Sequence, residues 1–158
     1  SATTGHTANL CPNPQDPTGW SADQAVQLYL AAGVKPEKLL LGVPFYARAW
    51  RGVSPENDGL FQPFASAAYE HGLSYTDLKE RFLSDPRYVR YWDDQAKAAY
   101  LFNGDEFITY EDARSLACKA DYAQRLGLAG IMIWEYGHDL SGELLEVLHT
   151  SLKGSTAP

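Results

Sequence analysis

The 158-residue chain carries a net charge of -7 and is 45% hydrophobic, an ordinary balance for a globular domain that can bury a core. Its acidity excludes nucleic acid as an expected partner, because phosphate contacts need clustered Lys and Arg. No apolar stretch is long enough to span a bilayer and no signal-peptide pattern opens the chain, so we expect no membrane association. The ten Tyr and four Trp favour a surface that stacks on a ligand, although an aromatic core would give the same count.

The first third of the chain is predicted to run from loop to helix to strand. Residues 1–19 are rich in Gly, Pro and Asn and indicate a long loop. Ser21 and Gln24 form a capping-box pattern, apolar residues then recur at helical spacing, and Gly33 closes the helix. A strand is predicted over residues 39–48.

The end of that strand is the most informative segment of the sequence. Its apolar start is typical of a parallel strand covered on both faces. Tyr46, Arg48 and Trp50 then occupy every second position, so their side chains should project together beyond the strand end. Ligands bind at the carboxyl ends of parallel strands, and these flat, hydrogen-bonding side chains suit a sugar ring. The alternative for Arg48 is a salt bridge, for example to Glu135, and the two rings could simply pack at the rim.

Residues 51–107 interrupt the alternation of helices and strands. They indicate an extended segment over 60–68 and a short helix near Ser74, where Asp77 completes a capping pattern. Strands are predicted at 88–92, 98–102 and 107–109, the first two being a hairpin around a polar turn. Together these elements predict a small α+β insertion domain.

The alternation resumes after the insertion. Thr109 and Asp112 form a capping pattern before a helix, residues 128–134 indicate a second buried strand, and leucines from Leu144 onward indicate a last helix. Because a complete eight-stranded barrel takes roughly 250 residues, these two β/α units are expected to be the end of a larger α/β domain. The predicted division is 1–50 and 108–154 for that domain, 51–107 for the insertion and 155–158 for a linker-like tail.

Trp134 stands at the carboxyl end of the second predicted strand and mirrors Tyr46 and Arg48 on the first. It can be a core residue or the apolar floor of a sugar site. The carboxylates of Asp77 and of the pair Asp93–Asp94 can equally cap a helix or form a turn. The four histidines are scattered, and phosphate-binding, dinucleotide-binding and nucleophile-elbow motifs are absent, so we expect no metal and no cofactor.

Several segments, taken in order, resemble glycoside hydrolase family 18 chitinases. Residues 41–50 (LGVPFYARAW) are similar to that family's seventh barrel strand, and Thr4-Gly5-His6 to the loop after its sixth strand. Residues 127–135 (GLAGIMIWE) resemble the eighth strand. Further likeness to the family's α+β insertion and to the entry of its seventh helix is carried by residues 75–78, 90–94, 99–102 and 108–112.

The resemblance implies a fold and a set of binding residues. It implies the carboxyl-terminal portion of a (β/α)8 TIM barrel, strands seven and eight, carrying a small α+β insertion domain. Trp134 would be the floor under a distorted N-acetylglucosamine, with Tyr46 and Arg48 around that sugar and Arg48 paired with carboxylates of the site. Trp50 would be a further stacking aromatic, and Asp77 the insertion-domain acid that reaches the sugar.

The resemblance also shows which catalytic parts are missing. The family's acid motif, D-x-x-D-x-D-x-E, occurs nowhere in the chain, so we expect no catalytic residue here and no activity from the chain alone. The resemblance implies that the parent is a secreted chitinase, acting on β-1,4-linked N-acetylglucosamine by a retaining, substrate-assisted mechanism. The alternatives are a fragment of a catalytically inactive chitinase-like lectin and a stand-alone binding module. Expected partners are chitin or chito-oligosaccharide, and the missing amino-terminal barrel half or another copy of the chain.

Overall fold

A computed structural model describes residues 3–153. The predicted tail at 155–158 lies outside that range. The helices are α1 (Ala22–Ala31), α2 (Tyr75–Arg81), α3 (Ala113–Arg125) and α4 (Glu143–Lys153). The strands are β1 (Leu40–Pro44), β2 (Tyr46–Arg51), β3 (Ser66–Ser74), β4 (Val89–Asp93), β5 (Ala98–Phe102), β6 (Phe107–Tyr110) and β7 (Gly130–Trp134). None of the helices in the described range is long and apolar enough to cross a membrane.

Two strands form a short parallel sheet. β1 pairs with β7 in register, from Leu40 opposite Gly130 to Pro44 opposite Trp134. Within residues 3–153 neither strand has a second neighbour, so both outer edges are open. The prediction that these strands are buried on both faces is wrong. Burial in β1 alternates, with Leu41 and Val43 buried and Leu40 60% exposed, because α3 packs against one face while Leu40 and Met132 lie exposed on the other.

Strands between Tyr46 and Tyr110 form a second, antiparallel sheet in the order β3-β2-β6-β5-β4, which we call the insertion sheet after the predicted insertion domain. One face buries small and aliphatic side chains against α2, including Ala47, Leu101 and Ile108 with Leu78. The other face carries aromatic rings, among them Tyr100 and Phe107. Because side chains alternate between faces along a strand, the sheet packs on both sides.

Phe45 is the joint between the two sheets. The strand predicted over 39–48 is in fact two strands that meet at this buried residue. The Phe45 N–H donates to the carbonyl of Trp134 at 2.7 Å, and its own carbonyl accepts from the Tyr75 N–H at 2.9 Å. Phe45 thus bonds to β7 through its N–H and to the start of α2 through its carbonyl, and the chain changes partners here. Tyr46, Arg48 and Trp50 therefore belong to the insertion sheet, although the predicted division placed residues 1–50 in the barrel.

Two of the predicted helix caps are confirmed, and one cap and one strand position differ from the prediction. Ser21 caps α1, and a full capping box between Ser74 and Asp77 opens α2. The box before α3 is made by Asp112 and Ser115, so the predicted pairing of Thr109 with Asp112 is wrong. The extended segment predicted at 60–68 lies later, at β3.

The loop before α1 is held by buried polar groups. Asp93 accepts hydrogen bonds from the Asn13 side chain at 2.7 Å and pairs with His6 at 3.0 Å. Burial alone would raise the pKa of Asp93, but the bonds from His6, the Ala96 amide and Asn13 outweigh it and lower the pKa to about 2. Lys119 contacts Glu111 and the Ala8 carbonyl, and burial lowers its pKa to about 7. These contacts tie the loop before α1 to Asp93 at the end of β4 and to Lys119 on α3.

Candidate functional site

A pocket of about 250 Å³ lies where the two sheets meet. Trp134 at the end of β7 forms one side, and Tyr46 and Arg48 on β2 form another. The pocket is completed by Glu70, His71, Gly72 and His138. The convergence of Trp134 with the Tyr46/Arg48 pair is the arrangement expected from the positions of these residues at neighbouring strand ends.

Trp134 presents its indole to solvent. It is 62% exposed, and within the described residues its side chain has no hydrogen bond or ring contact. The peptide bond that follows it, Trp134–Glu135, is cis. A large aromatic side chain left open in a pocket is available for stacking on an apolar ligand face, so the interpretation of Trp134 as a core residue does not hold for this structure.

Arg48 lacks the partner that was expected of it. Its guanidinium carbon lies 5.7 Å from the centre of the Tyr46 ring, and no carboxylate within residues 3–153 forms an ion pair with it. The alternative pairing with Glu135 is therefore absent from residues 3–153, whereas pairing with site carboxylates of the missing strands stays a prediction. Glu135 instead lies 3.3 Å from His138. The exposed Arg48 side chain keeps its donors available to a ligand.

Trp50 and Asp77 occupy other positions. Trp50 lines a neighbouring pocket of about 210 Å³ with Arg48, Asp16 and Thr18, and its ring packs 5.9 Å from Phe64. The Asp77 carboxylate accepts from the Ser74 hydroxyl at 2.6 Å and from the Ser74 N–H at 3.2 Å. Asp77 lines neither pocket, so its contact with a sugar stays a prediction.

Four lining residues were missed in the sequence: Gly72 and the three polar residues Glu70, His71 and His138. Glu70 and His71 lie on β3. This strand was not predicted at its true position, because the polar residues around Gly72 interrupt the alternation of apolar and polar residues. His138 packs edge-on against Tyr46, with ring centres 6.3 Å apart. Its position four residues after Trp134, at the same strand end, was a signal that could have identified it.

The side chains that line the pocket can bind a polar ring. An open indole, an unpaired guanidinium and two imidazoles can stack on and hydrogen-bond a polar ring. Glu70 is the one carboxylate among the residues that line it. The two-carboxylate arrangement that most glycosidases use is absent from the lining. No group of three or more His, Cys, Asp and Glu within the described range could hold a metal.

Comparison with known proteins identifies the family. The family model described as Glycosyl hydrolases family 18 matches residues 1–139. The chain therefore belongs to glycoside hydrolase family 18, and the fold class predicted from the sequence is confirmed.

Individual relatives agree with this assignment. The chain is 36% identical to Chitinase A1 of Niallia circulans in an alignment of 155 residues that covers 90% of this chain and 22% of that protein. A solved family 18 N-acetylglucosaminidase from Paenibacillus barengoltzii superposes with a TM-score of 0.90 at 41% identity, covering 96% of this chain and 44% of the other. A family 18 chitinase of Cycas revoluta, solved as a mutant in complex with (GlcNAc)4, superposes at 0.85 with 25% identity, covering 96% and 43%. The chain thus spans less than half the length of these relatives.

Proposed function

We propose that this chain is the carboxyl-terminal part of a secreted chitinase that hydrolyses β-1,4-linked N-acetylglucosamine polymers. In this proposal Trp134 is the floor under one sugar, and Tyr46 and Arg48 form a wall beside it. Trp50 extends the wall into the neighbouring pocket, and Asp77 approaches the sugar from the insertion domain.

The observation that carries the proposal is the pairing of an open indole with an unpaired guanidinium in one pocket. A pyranose ring has an apolar face, and covering the indole with it removes apolar surface from water at roughly 25 cal/mol per Å². Arg48 can donate hydrogen bonds to hydroxyl or acetamido oxygens. The solved Cycas revoluta complex with (GlcNAc)4 supports a chito-oligosaccharide as the ligand class.

The chain's part in the reaction is to bind and orient the substrate. In a retaining, substrate-assisted mechanism the acetamido oxygen of the bound sugar attacks its own anomeric carbon, while a protein acid protonates the leaving oxygen. The motif that supplies that acid is not in this sequence. Trp134 and Arg48 would hold the sugar with its acetamido group placed for attack, and the proton donor would come from the missing part of the barrel.

The second proposed partner is therefore a polypeptide that completes the barrel. Both outer edges of the β1–β7 pair carry unpaired backbone groups, and Leu40 and Met132 are exposed. Open edges and apolar patches of this kind associate with other strands. The amino-terminal half of the barrel, or another copy of the chain, would cover them.

Calorimetric titration with triacetylchitotriose tests the proposal. We expect saturable binding to the chain, weakened about tenfold or more by Trp134→Ala, with no release of shorter sugars on prolonged incubation. Trp20→Ala is the matched control, because Trp20 is also largely exposed but lines a different cavity. A Trp134→Ala variant that binds as many sugars as the wild type, with the same affinities, would contradict the binding role. Release of shorter sugars by the pure chain would contradict the proposal that the proton donor lies in the missing part of the barrel.

A further inference from the structure

A second cavity, of about 540 Å³, lies on the insertion domain and shares no lining residue with the pocket around Trp134. We call it the outer cavity. It is lined by side chains of β4, of the turn after β4 and of the loop before α1, among them Tyr91, Trp92, Asp94, Gln95 and Gln15. The proposed function makes no use of this cavity.

The floor of the outer cavity ends a stack of aromatic rings that crosses the insertion sheet. Trp50 lies 6.1 Å from Phe107, Phe107 lies 4.8 Å from Tyr100, and Tyr100 stacks 5.0 Å from Tyr91 with an interplanar angle of 11°. Tyr100 is buried whereas Tyr91 is half-buried. The Tyr91 ring is thus supported on one side by the buried Tyr100 ring, and it can serve as a stacking platform for a ligand.

Hydrogen-bonding groups surround this platform. Within residues 3–153 the side-chain amides of Gln15 and Gln95 form no hydrogen bond. Asp94 accepts from Trp92 and Lys97 through Oδ1, which leaves its Oδ2 free. Burial, the charge of the Asp58 carboxylate and a hydrogen bond to it raise the pKa of Tyr91, so the Tyr91 hydroxyl is held by Asp58 and its ring is the part left for a ligand. A flat ring beside free amides and carboxylate oxygens is suited to a hydroxylated, uncharged ring.

The loop before α1 separates the outer cavity from the first pocket. Arg48, Thr109, Tyr100 and Tyr91 are successive cross-strand partners, which places Tyr91 roughly 14 Å from Arg48 at about 4.8 Å per strand. Between them His6 packs 5.9 Å from Tyr100. The two cavities share no lining residue, and one pyranose ring therefore cannot contact both.

We propose that the outer cavity is a second saccharide-binding site, which stacks an uncharged pyranose ring on Tyr91 and bonds its hydroxyls to Gln15, Gln95 and Asp94. Three acidic side chains line the cavity, Asp58, Asp93 and Asp94, which disfavours anionic ligands. Lys97 and Arg114 lie against Asp94 and offset part of that charge, which favours a neutral sugar over a cationic one.

Indole N–H resonances in a nitrogen-15 correlation spectrum report on the two sites separately. The Trp92 indole donates to Asp94 at 3.1 Å in the outer cavity, and Trp134 lies in the first pocket. On titration with triacetylchitotriose we expect a saturable shift of the Trp92 resonance that persists in Trp134→Ala. Tyr91→Ala should weaken this binding about tenfold, whereas Tyr91→Phe, which keeps the ring, should retain most of it.

The outcomes separate this proposal from the proposed function. A Trp92 resonance that stays fixed, or that moves only while Trp134 is present, would overturn the second site and leave the first intact. Movement of Trp92 with a fixed Trp134 resonance would support the second site and count against the first. If Tyr91→Ala disturbs folding, Gln95→Ala removes one exposed amide and should weaken Trp92-detected binding about threefold; unchanged affinity in that variant would contradict the hydrogen-bonding role.

Discussion

Arg48 and Arg90 differ in whether a carboxylate pairs with the guanidinium, and this difference separates a charge available to a ligand from one that stabilises the fold. Arg90 contacts the Asp112 carboxylate that caps α3, whereas Arg48 has no carboxylate partner in the described range. Loss of an unpaired, exposed side chain changes folding stability little. Loss of a charged hydrogen bond costs about 1 to 2 kcal/mol.

We therefore expect opposite effects from two substitutions. Arg48→Ala should lower affinity for triacetylchitotriose about tenfold and change the free energy of unfolding by less than about 0.5 kcal/mol. Arg90→Ala should lower the free energy of unfolding by about 1 kcal/mol and leave affinity unchanged. Calorimetry and urea denaturation measure the two quantities. Strong destabilisation by Arg48→Ala would indicate a partner that the structure does not contain.

Asp93 gives the chain a specific sensitivity to acid. The pKa of its carboxyl is about 2 in the folded chain, against an ordinary value of 3.8, so below pH 3.8 the unfolded state takes up the proton first. The resulting stability, on the order of 2 kcal/mol, is fully present above about pH 4 and is lost as the pH falls towards 2. Urea denaturation at pH 5 and pH 2.5 should show a smaller drop for Asp93→Asn than for the wild type. An equal drop in both would contradict the assigned pKa.

At the scale of elements, the sequence predicted what local chemistry determines. The caps at Ser21 and Ser74 and the hairpin of β4 and β5 follow from short-range patterns, and the structure contains them. The break at Phe45 could not be predicted, because apolar residues continue through it and the switch depends on distant partners, the Trp134 carbonyl and the Tyr75 amide. β3 was misplaced because the polar residues around Gly72 conceal its alternation.

Gly59 ends the short 3₁₀ turn before β3 and packs against the aromatic face of the insertion sheet. Its φ is +77°, and a Cβ added there would lie 2.7 Å from the Phe102 ring. Gly59→Ala should therefore cost about 2 kcal/mol or more in unfolding free energy, since it combines backbone strain with a clash. Gly104→Ala is the control, with φ of +95° and open space around the added atom. It should cost about 1 kcal/mol. Equal losses would show that the ring moves aside.

At the scale of the whole molecule, the open edges of the β1–β7 pair govern behaviour in solution. Without the amino-terminal half, the chain should self-associate, and sedimentation should show a concentration-dependent mass. Replacing Leu40 and Met132 with Lys places charges on the exposed apolar face and should shift the distribution towards monomer. A compact monomer of the unmodified chain at all concentrations would contradict this expectation.

Part of the site could be predicted from the sequence, because some of its residues follow from the positions of strand ends and others depend on long-range strand pairing. Tyr46, Arg48 and Trp134 could be placed together because the carboxyl ends of neighbouring strands share one edge. Glu70 and His71 reach the pocket only through the antiparallel pairing of β3 with β2, which depends on long-range register. Arg48 was expected to be paired because most buried charges are, but its β2 position leaves it exposed.

The central claim, that Trp134, Tyr46 and Arg48 form one saccharide pocket, is tested most directly by a crystal structure of the chain with triacetylchitotriose. We expect a pyranose ring stacked on the Trp134 indole at about 4 Å, with a sugar oxygen within hydrogen-bonding distance of the Arg48 guanidinium. A well-ordered sugar elsewhere in the crystal, with the pocket of Trp134, Tyr46 and Arg48 left empty, would contradict the account.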